Sequence, residues 1–124
     1  MIRGFETQTA PLNDYELGTL LPVIVYCMKF KVGEANVIAG STIVKKMKAC
    51  GYRLDGPRLR KIINHIRCND LIPGLVSTSQ GYYIATSADE IDGCIESLQG
   101  RIDATQAIIT ALQRQKSQGF ICHN

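Results

Sequence analysis

The residues best suited to chemistry lie between Asp55 and Cys68, in the stretch Asp-Gly-Pro-Arg-Leu-Arg-Lys-Ile-Ile-Asn-His-Ile-Arg-Cys. Arginine and lysine donate to phosphates or to guanine edges, and asparagine can form a bidentate pair with adenine. Arg58, Arg60, Lys61, Asn64 and His65 therefore form a set suited to nucleic acid, not to bond-breaking chemistry. The residues for catalysis are thin. The two histidines, His65 and His123, have no nearby carboxylate cluster. There is also no glycine-rich phosphate loop, nucleophile elbow or metal-binding pair. Cys68 lies three residues after His65, but no third group is present to orient such a pair. The expectation is a protein that is not an enzyme, with no metal and no cofactor.

A helix is needed to present these side chains. Asp55 can cap its start, and Pro57 fits the first turn, where a missing N–H costs nothing. Leu59, Ile62, Ile63 and Ile66 follow i, i+3, i+4, i+7 spacing and give one apolar stripe. At about 100° per residue, the opposite face is centred on Lys61, Asn64 and Cys68, with Arg58, Arg60 and His65 at its flanks. A helix held down by isoleucines with that outer face suits a DNA major groove. A plain solvated basic surface is the alternative.

Charge segregation favours the first reading. The chain of 124 residues carries +3 overall, but residues 29–67 hold ten Lys and Arg against Glu34 and Asp55, a net +8. Residues 1–28 carry −2 and residues 68–124 carry −3. A basic middle flanked by acidic ends is the footprint expected for a polyanionic partner. The length suits one domain with a modest core, and no apolar run approaches the roughly 20 residues of a membrane span. Five widely spaced cysteines with no Cys-x-x-Cys pair argue for reduced thiols. With no signal-peptide core at the start, a cytoplasmic location is expected.

Upstream, Asn13 and Glu16 resemble a capping box. Leu17, Leu20, Leu21, Ile24, Val25 and Met28 then suggest a first helix at 14–30, which Pro22 must kink or split. Residues 31–40 read as a connector, with Asn36 to Ala39 a short strand. Ser41 is read as the cap of a second helix, Thr42 to Cys50, with Lys45, Lys46 and Lys48 facing outward. Gly51 is a natural left-handed stop. Helix, short turn and basic helix make a helix-turn-helix signature. Leu71 to Val76 and Tyr82 to Ala85 then flank a polar turn, Ser77 to Gly81, as a hairpin.

Over roughly residues 13–86 the chain resembles the winged helix-turn-helix family. Ser41 to Cys50, Asp55 to Arg67, Leu71-Ile-Pro and Gly81-Tyr-Tyr-Ile carry the likeness. More loosely, it is similar to small uncharacterised winged-helix proteins of phage and bacterial genomes. The resemblance implies a mainly α, α+β fold of three helices and a small β-hairpin wing. It also implies insertion of helix 57–68 into the major groove of double-stranded DNA. Arg58, Arg60, Lys61, Asn64 and His65 would reach bases or phosphates, with Ser41, Lys45 and Lys46 on the backbone. The wing turn departs from the pattern, having no Lys or Arg. Of Tyr82 and Tyr83, alternation puts one in the core and one at the surface.

The last third differs. Ser87 and Glu90 form a capping box. Ile91, Ile95, Leu98, Ile102, Thr105, Ile109 and Leu112 then alternate spacings of four and three, a heptad seam. Either this long helix pairs with a second copy as a coiled coil, or it packs on the first helix of its own domain. The expected organisation is an arm (1–12), a winged-helix domain (13–86), a dimerisation helix (87–116) and a tail (117–124). The expected role is DNA binding as a homodimer, in transcriptional regulation or phage DNA replication. An adaptor or phage-assembly module is the alternative, because fold alone does not decide function.

Overall fold

The computed structural model describes residues 10–119. The expected arm and tail therefore lie largely outside the described residues. The chain divides into two compact units, one ending at Ile91 and one beginning at Asp92. The architecture is mainly helical, with one two-stranded antiparallel sheet and a long final helix.

Reciprocal bonds open the first helix. The Asn13 N–H donates to Glu16 Oε1 and the Glu16 N–H to Asn13 Oδ1, both at 2.9 Å. A π-helical turn, Glu16–Leu20, leads directly into α1, Leu21–Met28. The Leu21 N–H reaches back to the Glu16 carbonyl, five residues away. Pro22, which has no N–H to give, follows at once, so the wider turn absorbs the missing donor. Pro22 thus leaves the helical path continuous instead of splitting it, and the helix stops at Met28, short of Phe30. Leu20, Ile24 and Met28 form its buried edge.

The connector makes one 3₁₀ turn, Glu34–Asn36, and two single bridges, Val32 to Ile84 and Ile38 to Tyr82. The short strand expected at 36–39 is thus reduced to the one bridge at Ile38. That bridge fixes where α2, Gly40–Ala49, begins: the chain leaves the sheet at Ile38 and turns into the helix immediately. The cap position falls on Ala39 with no side-chain bond, so Ser41 is an exposed first-turn residue and not the cap. At the other end Gly51, with φ +90°, closes a Schellman turn in which the Tyr52 N–H donates to the Met47 carbonyl at 3.0 Å.

Helix α3 runs Gly56–Cys68, and Asp55 caps it by accepting from the Arg58 N–H at 2.8 Å. Leu59, Ile62, Ile63 and Ile66 are each no more than 2% exposed, so the expected stripe is the centre of the core. The Leu71 N–H returns to the Ile66 carbonyl, with Asp70 in the left-handed region at φ 55°. This tight exit shortens the expected strand 71–76. β1 begins only at Leu75 and runs to Thr78, pairing with β2, Gly81–Ile84, in the register Leu75–Ile84 to Thr78–Gly81.

Gly81 cannot be replaced without disruption. A Cβ there would lie 2.1 Å from the Ile38 carbonyl oxygen, which is backbone and cannot move aside. Tyr83 is the buried tyrosine and Tyr82 the half-buried one.

Helix α4, Ala88–Ser117, has no buried residue along its 30 positions. The Glu90 carboxylate anchors its start by accepting from the Tyr83 hydroxyl at 2.6 Å and from the Thr86 N–H at 2.9 Å. Ser87 adds long contacts of 3.4 Å in both directions. Ile91, Ile95, Leu98, Ile102, Ile109 and Leu112 stay 39–61% exposed.

Candidate nucleic-acid interface

The residues singled out in the sequence separate into two groups. Ser41, Lys45 and Lys46 on α2 are exposed, as are Arg60 and Asn64 on α3; His65 is half-buried. Ser41, Lys45 and Arg60 come together around one cleft of about 530 Å³. Val44, Leu59 and Tyr82 supply its apolar wall, and Gly40 and Gly56 mark the first turns of the two helices beside it. Lys48 also lines this cleft and belongs with the group. Its spacing shows why: 41, 45 and 48 stand at i, i+4 and i+7, one face of α2. Lys46 is not among the lining residues.

Lys61 and Arg58 belong elsewhere. Lys61 is only 8% exposed, which corrects its placement at the centre of the outer face. Its Nζ donates to Glu16 Oε1 at 2.7 Å, while Arg58 Nε donates to Glu16 Oε2 at 2.8 Å. Arg58 Nη1 also donates to the Arg53 carbonyl at 2.9 Å, and its guanidinium lies 5.5 Å from the centre of the Tyr15 ring. The helical wheel is correct, but the segment carrying Tyr15 and Glu16 covers one side of α3 that the wheel leaves open. What remains outward on α3 is a narrower face, Arg60 and Asn64 with Cys68 beyond.

Glu16 is the residue the sequence reading undervalued. It appeared there only as half of a capping box. In the fold, 1% exposed, it accepts from Asn13, Arg58 and Lys61 together. Burial alone would raise its carboxyl pKa. The hydrogen bonds from Lys61, the Asn13 N–H and Arg58 outweigh that and hold it below its ordinary value. Glu90 is held down to about 2, chiefly by the Tyr83 hydroxyl and then by the Thr86 N–H and hydroxyl. A local signal for the Glu16 cluster is missing, because its partners stand 42 and 45 residues away in sequence.

At the hairpin, the turn between Thr78 and Gly81 is Ser79-Gln80, without a cation. Among the described residues, no three His, Cys, Asp or Glu side chains come together to hold a metal ion. No described helix is long and apolar enough to cross a membrane. No family model matches the chain, and no curated protein or solved structure does either.

Proposed function

We propose that this chain is a winged-helix DNA-binding protein that inserts α3 into the major groove. In this reading it acts as a homodimer in transcriptional regulation or phage DNA replication. One observation carries the reading: Ser41, Lys45, Lys48 and Arg60 gather around one cleft between two helix starts, and its lining among the described residues holds no carboxylate. Such a cluster suits the closely spaced charges of a phosphate backbone. Asn64 supplies the uncharged reader on the adjoining exposed face. The resemblance of residues 13–86 to the winged-helix family adds the expected orientation, with α2 near the backbone and α3 in the groove.

Selection from a randomised duplex library, with binding measured across a salt series, tests this reading. An enriched site and a log–log salt slope near −0.9 per neutralised phosphate are the expected results. An affinity flat with salt would overturn it. The cation-free turn Ser79-Gln80 favours a second reading, a protein-interaction module. An unenriched library together with a flat salt response would put that reading ahead.

A further inference from the structure

The 30 residues of α4 carry six large aliphatic side chains along one seam, and none of them is buried. We propose that this seam pairs with the α4 of a second copy of the chain, in parallel and in register, as a two-stranded coiled coil. The proposal deepens the homodimer part of the reading above and rests on it. It does not depend on DNA.

The layer composition carries the orientation. With Ile91 at position d of a heptad, the a positions are Ile95, Ile102 and Ile109, and the d positions are Ile91, Leu98, Thr105 and Leu112. β-branched residues at a with leucine at d fit the packing of parallel dimers, where each a and d residue meets its own counterpart. Antiparallel pairing would mix these layers, setting most of the a-position isoleucines against a leucine or threonine. Thr105 adds a register mark. In register it faces its own copy, whereas a slip of one heptad would set it against Leu98 or Leu112.

The other positions fit a like partner. The e positions are Asp92, Gln99, Gln106 and Gln113 in successive heptads, and the g positions between them are Cys94, Arg101 and Ile108. Parallel pairing sets g against the e of the next heptad, so Arg101 meets Gln106 of the other copy and no like charges meet. Asp92, at e in the first heptad, faces Ser87 at g of the other copy, and Glu96 and Asp103 stand away from the seam at b. Gly93 and Gly100 stand at f, where a Cβ would meet nothing within 4 Å. A helix of 30 residues is about 45 Å long. Paired over most of that length, it gives a contact on the order of 800 Å² per partner, the size of a standard specific interface.

Disulfide trapping in the full chain tests the orientation. All cysteines are changed to serine, and Leu112→Cys or Ala107→Cys is then introduced singly. Position 112 lies at the seam and position 107 at f. Oxidation should link the Leu112→Cys chains nearly completely and the Ala107→Cys chains hardly at all. In antiparallel pairing, two cysteines at 112 would stand about 30 Å apart and stay unlinked. No link at 112, or equal linking at both positions, would overturn the proposal. Sedimentation equilibrium of the unaltered chain guards against a misfolded variant. A dimer at tens of micromolar is expected, and a monomer, trimer or tetramer would also overturn it. Site selection on DNA reads separately, so either result can fail without the other.

Discussion

Helices α2 and α3 both carry cations, but the fold uses two sets of them in opposite ways. Arg58 and Lys61 turn inward to one carboxylate, Glu16, and Lys61 keeps 8% of its surface. Lys45, Lys48 and Arg60 are exposed around a shared cleft whose lining, among the described residues, holds no carboxylate. Charge counted along the sequence treats these residues as equals. Physically, the first pair ties α3 to the segment ahead of α1 and shares one counter-charge, while the second set stands at the surface, where it can attract a polyanion at long range. Exposure and the nearest carboxylate, not residue type, separate cations that hold a fold from cations that can meet a partner.

The strongest way to break this contrast is to remove Glu16. Glu16→Ala leaves Lys61 buried without its counter-charge and should destabilise the domain by about 3–5 kcal/mol. Loss of the capping box adds about 1 kcal/mol to that. Adding Lys61→Met should recover most of the first term, because the unpaired buried charge is then gone and half-exposed Arg58 can turn to water. Urea unfolding of the single and double variants measures both effects. A double variant no more stable than Glu16→Ala would mean that Lys61 is not the residue Glu16 holds.

Acid should sharpen the same contrast. The folded-state pKa of Glu16 is depressed, so its stabilisation is present above the ordinary value of 4.5. It is lost as pH falls through the lower folded value. The stability gap between wild type and Glu16→Ala should therefore narrow from pH 7 to pH 3. Glu90 acts in the same direction, with a window between 4.5 and about 2. Glu90→Gln should flatten the acid limb without changing the order of the Glu16 variants. A gap that is constant with pH would show that the Glu16 carboxylate charge contributes nothing.

Local chemistry was legible in the sequence, and long-range cover was not. Asp55 read as a cap and accepts from Arg58; Gly51 read as a stop and closes its turn at φ +90°. The stripe from Leu59 to Ile66 was visible because its period is set within one helix. The errors at the two helix faces came from distant partners. The bridge between Ile38 and Tyr82 moved the start of α2 and took the cap away from Ser41. The partners of Glu16 took Lys61 and Arg58 from the outer face. At Pro22 the reading left a kink or a split open; the chain formed a π turn that keeps the helix unsplit. Of the residues around the cleft, Ser41, Lys45 and Arg60 had been singled out in the sequence, while Lys48 was seen as outward and left out.

Within the outward set, residues that read sequence should separate from residues that attract charge. Asn64 is exposed and uncharged, so Asn64→Ala should leave the salt slope unchanged while removing about 1–3 kcal/mol of discrimination at one base pair. Selected-site logos for wild type and variant measure this. Identical logos would mean that Asn64 reads nothing.

Lys45→Ala should give the smallest effect and the most specific one. Lys45 is exposed, and its change should leave stability within about 0.5 kcal/mol of wild type. If its ammonium meets one phosphate, the log–log salt slope should become shallower by about one unit, with the selected site unchanged. Arg58→Ala is the matching control from the inward set. Arg58 holds Glu16 and the Arg53 carbonyl, so its loss should cost stability and leave the slope near the wild-type value. A slope that follows Arg58 and ignores Lys45 would reverse the assignment, and the inward cations would then be the ones that meet the partner.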